Sequence, residues 1–341
     1  MNAEQQKIIR DVEKKLGVSV FRHHGDMTIK RIPTGVLSLD MVLGGGLPTG
    51  RVIEIYGQKA VGKTSLSFHL MSQFQKLGRP VIYFDLEDTG DLERLEFYGV
   101  KTGESVENPV WLPHHGEDEV MFGQTVFELI ERMAEVWRDG LVVIDSIPAM
   151  VSKITEEDIA YTGGAMASTA RLMSASLRRM VGTNVLGKHN LTVIFINQTR
   201  QVLDPRKPIS RPGGDALGYF ASVALEVKNK EKIKGDIYVD GVDEPIASTV
   251  IGHKLHITTT KNKVFRPNLT AELPLNYDSG FDLYEDTLMI GVKFGVVKRA
   301  GAYFSYNEHR WQGIANAKAF FEENTDVYDT MVSDISNKIK E

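Results

Sequence analysis

The chain contains no cysteine. That absence excludes disulfides, thiol nucleophiles and every zinc or iron–sulfur site that needs a thiolate. It also has no apolar run approaching the roughly 18 residues of a membrane-spanning helix. Positive charge is not in excess: 40 Lys+Arg stand against 45 Asp+Glu, a formal net charge of −5. A globally basic coat is excluded, whereas a local basic stripe is not. The opening MNAEQQKIIRDVEKK is charged throughout and lacks the apolar core of a secretion signal, so a soluble protein of the cell interior is expected. What is present is an ordinary globular composition, 341 residues of which 42% are hydrophobic and 25% charged. That allows one large domain with appendages, or two domains.

Three regions differ in texture. Ile8, Ile9, Val12 and Leu16 make a helical stripe on an otherwise polar segment, too short to be stable unless it docks on its own body or on a neighbour. A polar linker with a short strand, MTIKRI, follows. From about residue 50, the apolar runs 52–56, 81–86, 141–147, 191–197, 222–227 and 254–260 alternate with helical stretches. Runs without polar alternation suit strands buried on both faces, and helices between them suit a largely parallel α/β sheet. Residues 228–248, polar and charged, read as an excursion from that sheet. The last sixty or so residues, with LMIGVKFGVV and AYFSY before two helical segments, read as a small α/β cap. The expected division is 1–33 for helix and linker, 34–281 for the α/β core, and 282–341 for the C-terminal domain.

The most specific motif is Gly57-Gln58-Lys59-Ala60-Val61-Gly62-Lys63-Thr64, followed by Ser65. It matches GxxxxGK[ST] with a strand before it and a helix after it, the arrangement in which backbone N–H groups converge on a phosphate at a helix N-terminus. Lys63 places a positive charge on the β- and γ-phosphates of ATP or another nucleoside triphosphate, and Thr64 offers its hydroxyl to Mg2+. Three further apolar strands end in polar side chains. Asp145 closes LVVID in the manner of a Walker-B aspartate and is assigned to Mg2+. Glu87 follows VIYFD at the carboxyl edge where open parallel sheets hold ligands, with Asp91 beyond it added to the nucleotide contacts. Gln198 closes VIFINQ, where an amide can sense a γ-phosphate and lose that bond on hydrolysis.

Taken in order, GVLSLDMVLGGGLPTGRVIEIYG, the phosphate loop, FDLED, LVVIDSIPAM, ARLMSASLRRM, VIFINQTR, GGDALGYFASV, TKNKV and RAGAYFSYNEHRWQGIANAKAFF give a chain that resembles the bacterial RecA recombinase family from about residue 4 to about residue 325. The resemblance implies a RecA-type P-loop ATPase core in which Glu87 activates water and Gln198 couples nucleotide state to DNA loops. It implies that Lys261 and Lys263 reach the nucleotide of an adjacent subunit, so that hydrolysis depends on assembly. The N-terminal helix then docks on a neighbour to build a helical filament, an open heterologous assembly. The implied activity is ATP-dependent pairing and exchange of single-stranded DNA with homologous double-stranded DNA, with hydrolysis stimulated by DNA and no membrane involved.

Two segments match the family's DNA loops. The first, 156–166 with Met166, leads into a helix carrying Arg171 and Arg178, whose seven-residue spacing places both on nearly one face. The second, 201–214, holds Leu203, Arg206, Lys207, Arg211, Gly213 and Gly214, with Asp215 next to it. It is too polar and interrupted for a core element, and its charges suit a phosphate backbone while Met166 and Leu203 suit insertion between bases. Departures from the family pattern are Arg94 where a tyrosine beside the adenine is usual, QKAV inside the phosphate loop, Asp215 in place of an asparagine, and a longer polar excursion. A ring-forming DNA motor of the same ATPase fold is the alternative, but it would normally bring a sizeable helical domain before the core. A nucleotide-gated scaffold of the tandem-core kind would show two phosphate loops where this chain shows one, and a small-molecule kinase leaves the two loops and the lysine pair unexplained.

Overall fold

The structure, a computed structural model, describes residues 3–17, 28–88, 90–103, 106–113, 120–153, 165–199, 211–237 and 247–341. It divides into two units, Met1–Lys30 and Arg31–Glu341. The first holds the amphipathic helix Ala3–Leu16, with Glu4 in its first turn and Lys14 and Lys15 in its last, charges that complement the helix dipole.

In the second unit, β1 (Arg31–Ile32) and β2 (Leu47–Pro48) form a small antiparallel ladder around the helix Leu37–Leu43. The main sheet is built from β3 (Val52–Gly57), β4 (Val81–Asp85), β5 (Val110–Trp111), β6 (Leu141–Asp145), β7 (Thr192–Gln198), β8 (Val223–Ile237), β9 (Ala247–Asn262), β10 (Thr270–Asn276) and β11 (Gly280–Phe281). Their spatial order is β11-β10-β9-β8-β3-β7-β6-β4-β5. From β8 to β5 every pairing is parallel. Alternate residues of these strands feed two separate cores. Ile53, Ile55, Val81, Tyr83, Leu141, Val143, Ile194 and Ile196 face Leu66, Leu70 and Phe74 of the helix Lys63–Lys76. Val52, Ile82, Phe84, Val142, Ile144, Val193 and Phe195 face the helices Gly123–Val136 and Ala165–Gly182. This two-sided burial is why the strands read as continuous apolar runs.

Two expectations are corrected beyond β8. The run at 254–260 belongs to an antiparallel strand, β9, and the sheet stays antiparallel through β10 and β11. Within the segment 228–248, the described residues 228–237 and 247–248 stay in the sheet, because β8 and β9 pair as far as Ile237↔Ala247, with register shifts between Ala224/Leu225, Asn229/Glu231 and Ile233/Lys234. From Lys228 to Asp236 the side chains of β8 are exposed or half-exposed, so lysines and acids dominate that stretch.

The C-terminal part comprises the helix Leu283–Lys293, an antiparallel sheet of β12 (Lys298–Ala300), β13 (Tyr303–Tyr306) and β14 (His309–Gln312), and the helices Gly313–Glu323 and Thr325–Lys340. LMIGVK is thus helical. Its core of Leu288, Val297, Phe304, Trp311, Phe321, Met331 and Ile335 includes Leu37 from the helix near the start of the unit. Among the described residues no helix is long and apolar enough to cross a membrane.

Candidate nucleotide and nucleic-acid site

The register of the parallel strands assembles the site. Gly57 at the end of β3 stands opposite Gln198 at the end of β7, and Asp85 at the end of β4 stands opposite Asp145 at the end of β6. All lie at the carboxyl edge, where the chain passes from strands into ligand-binding loops.

The phosphate loop is shaped by backbone demands. A Cβ on Gly57 would stand 2.2 Å from the Val227 carbonyl oxygen of β8, and Gly62 enters the helix Lys63–Lys76 at φ 87. Only glycine meets both conditions without strain. Ala60 also adopts a left-handed φ of 57. Gln58, Lys59 and Ala60 are exposed, whereas Val61, Lys63 and Ser65 are buried. Lys63 Nζ donates to the carbonyl oxygens of Gly57 at 3.3 Å and Gln58 at 2.6 Å. Burial lowers its pKa, against the opposing pull of Asp145 and Glu87.

Thr64 donates through Oγ1 to Asp145 Oδ2 at 2.7 Å, and Tyr83 donates to the same oxygen at 3.4 Å. Burial pushes the Asp145 carboxyl up to about 6; the Thr64 hydrogen bond opposes this and the neighbouring Glu87 and Asp85 add to it. Such a carboxyl is one that a nearby cation returns to its charged form. Among the described residues no group of three or more His, Cys, Asp or Glu could hold a metal. One threonine hydroxyl beside one aspartate fits Mg2+, which keeps water and takes substrate phosphate oxygens as its remaining ligands.

Glu87 is exposed, yet its Oε1 accepts from both the Ser146 hydroxyl and Gln198 Nε2, the latter at 3.0 Å. The structure thus brings Glu87, Gln198, Asp145, Thr64 and Lys63 together. Ser146 was missed by sequence reasoning, although its place directly after Asp145 was a usable signal.

Beside the phosphate loop lies a cleft of about 660 Å³. Asp91 lines it and also caps the helix Leu92–Phe97 by accepting from Glu93 N. Arg94, Phe97, Tyr98, His253 and Tyr277 complete its wall. Tyr277 and His253 were not foreseen, since they come from the antiparallel strands. His253 Nδ1 lies 3.2 Å from Tyr277 Oη, while its buried Nε2 has no hydrogen-bond partner among the described residues.

Lys261 and Lys263 do not line this cleft. Lys261 Nζ donates to the Gly218 and Tyr219 carbonyls, and Lys263 Nζ to the Tyr219 carbonyl. Burial, then the adjacent Lys263, pulls Lys261 down to about 8. Arg171 and Arg178 are both exposed on the helix Ala165–Gly182. A groove joins Arg178 to Gly214, Asp215 and Tyr219, and Gly213 sits against Ile147. Arg211, expected at DNA, pairs with Glu54. Leu203, Arg206, Lys207 and most of the first loop lie outside the described residues, and of the Met166 side chain nothing is described.

Residues 3–282 match the RecA N-terminal domain and residues 286–340 the RecA C-terminal domain. This chain belongs to the RecA family. It is 35% identical to Protein RecA of Ruminococcus albus, with 99% of this chain and 81% of the relative covered. Identity is 33% to Protein RecA of Campylobacter lari, covering 97% and 92%, and 35% to that of Clostridium beijerinckii, covering 100% and 90%. RecA proteins are DNA-dependent ATPases that act in homologous recombination, and both RecA domains are present here.

Proposed function

We propose that the chain polymerises on single-stranded DNA with ATP and Mg2+ bound, pairs that strand with a homologous duplex, and releases the product on hydrolysis. The observation that carries this reading is the convergence of Glu87, Gln198 and Ser146 at the edge that also holds Lys63, Thr64 and Asp145. Mg2+, when bound, neutralises charge developing on the phosphate oxygens, with Thr64 and Asp145 as its protein ligands. Lys63 turns from the loop carbonyls to the β- and γ-phosphates. Glu87 orients and deprotonates the attacking water, and Gln198 exchanges its bond to Glu87 for one to the γ-phosphate, passing nucleotide state down β7 to the second loop. The base lies in the cleft between Arg94 and Tyr277, where a guanidinium and an aromatic ring offer stacking faces.

Lys261 and Lys263 act on the nucleotide of the adjacent subunit, and the helix Ala3–Leu16 docks that subunit through its apolar stripe. Arg171, Arg178, Arg206 and Lys207 follow the phosphate backbone, so binding is independent of sequence and homology is read by base pairing. The deciding experiment is ATP turnover with and without single-stranded DNA, in wild type and Lys261→Ala/Lys263→Ala. Strong stimulation that the double variant loses is expected. Turnover indifferent to DNA would remove the recombinase reading and favour a nucleotide-gated scaffold.

A further inference from the structure

Glu54 lies in the middle of β3 and is 1% exposed, a position where an ionised carboxylate survives only with partners. Its two oxygens have different ones. Oε2 accepts from Arg211 Nη1 at 2.6 Å, and Oε1 accepts from Asn197 Nδ2 at 3.1 Å. The Arg211 guanidinium also lies 4.4 Å from the centre of the Tyr56 ring, so its charge is held on both sides. Asn197 extends the network in two directions: Nδ2 donates to the Pro212 carbonyl at 3.1 Å, and Oδ1 accepts from Gln198 N at 2.9 Å. Gln198 in turn reaches Glu87. One buried carboxylate therefore ties the stem of the second loop, Arg211–Pro212, to the residue that touches the site's carboxylate. The sheet makes room for this on one face. Glu54 is in register with Ala224 of β8, and Ala224 with Lys261 of β9, so a methyl group separates the carboxylate row from the lysine pair.

We propose that Glu54 and Arg211 form an ionic latch that fixes the stem of the second loop to the phosphate-loop strand and positions Gln198 through Asn197. Arg211 is then a positioning residue and not a DNA-backbone contact. The inference rests on the ATPase and DNA-binding reading for its consequence, coupling of the loop to turnover, and on the local geometry alone for the latch.

The test uses the full chain as wild type, Arg211→Met, Arg211→Lys, Glu54→Gln and Glu54→Gln/Arg211→Met. Three readouts are taken: oligo-dT stimulation of ATP turnover, oligo-dT affinity across a salt series, and backbone hydrogen exchange at Gln198. Arg211→Met strands a buried carboxylate and lowers Tm, and the double variant restores Tm because no unpaired charge remains. A merely structural pair would restore stimulation together with Tm. A latch would not, and stimulation stays reduced about tenfold or more in the double variant, with faster exchange at Gln198 and partial rescue in Arg211→Lys. The salt slope of oligo-dT binding stays at the wild-type value in Arg211→Met.

A slope shallower by about 0.7, the loss of one phosphate contact to a single strand, would overturn the proposal, as would full stimulation in the double variant. If wild type shows no stimulation, the recombinase reading fails, and exchange at Gln198 still decides the latch: unchanged exchange in the double variant removes it.

Discussion

From β8 to β5 the main sheet is parallel, its strands β3 to β7 are short and mostly apolar, and the carboxyl ends of β3, β4, β6 and β7 hold Gly57, Asp85, Asp145 and Gln198 side by side. From β8 to β11 it is antiparallel, built on a hairpin of two strands of 15 and 16 residues whose far end is polar. The parallel half concentrates phosphate chemistry because every strand exits in the same direction. The antiparallel half reverses direction at each step, so it contributes at scattered points: Val227 against Gly57, His253 and Tyr277 in the cleft wall, and Lys261 and Lys263 at one end. On the proposed reading, one half houses the reaction and the other braces it.

The sharpest way to separate the halves is to remove chemistry from each. Lys63→Ala is expected to abolish productive ATP binding. Glu87→Gln is expected to retain binding while turnover falls roughly 10²–10⁴-fold, as read by phosphate release beside nucleotide affinity; full turnover in Glu87→Gln would displace Glu87 as the base. Lys261→Ala/Lys263→Ala is expected to retain nucleotide affinity and lose only the DNA-stimulated component. A loss of affinity in that variant would mean the antiparallel half serves its own subunit's nucleotide.

Stability should not follow this division, because Ile194 and Ile257 are fully buried in the same core. Truncating either to alanine should cost about 2–5 kcal/mol in urea unfolding. A marked difference between them would show that the antiparallel strands unfold separately.

A smaller effect comes from below β10, where Asp40 and Asp286 are buried between the helices Leu37–Leu43 and Leu283–Lys293. Burial raises Asp40 from 3.8 to about 7 and Asp286 to about 6. The folded chain then holds more protons than the unfolded one between those values, so stability is fully present below the unfolded pKa and declines as pH rises through the folded one. Burial lowers His69, His253 and His256 and acts in the opposite sense, so the readout is a difference: the urea midpoint of wild type relative to Asp40→Asn should fall from about pH 5 to about pH 8. A difference that rises over that range would contradict the assignment. Smallest of all should be replacement of the hairpin tip beyond Lys234↔Val250 by a short turn, within about 0.5 kcal/mol and without change in turnover.

How far the sequence was legible follows the same contrast. Gly57, Gly62, Lys63 and Thr64 were legible as a motif because local backbone geometry dictates their spacing, and Asp145 because it closes an apolar strand; folding then brings Thr64 and Asp145 into contact. The parallel strands could be read because two-sided burial writes itself as an apolar run. The hairpin could not, since its described residues 228–236 pair through their backbones while their side chains are exposed or half-exposed. The Glu54–Arg211 pair spans 157 residues and leaves no local period. In isolation Glu54 is a lone acid in a strand, and Arg211 is one more cation in a basic loop. The wall formed by His253 and Tyr277 is equally a product of folding distance.

The close approach of Gly57 to the Val227 carbonyl has a consequence for how this loop can vary over time. The cradle is a shape cut in main chain, floored by a neighbouring strand, and its contour depends on where side chains are forbidden more than on which are present. Gln58, Lys59 and Ala60 face outward while Val61 is buried, so the wording QKA is free to drift while the contour persists. A glycine that cannot be replaced thereby gives its neighbours their latitude, and a chain about one-third identical to its relatives can keep the same hold on a phosphate.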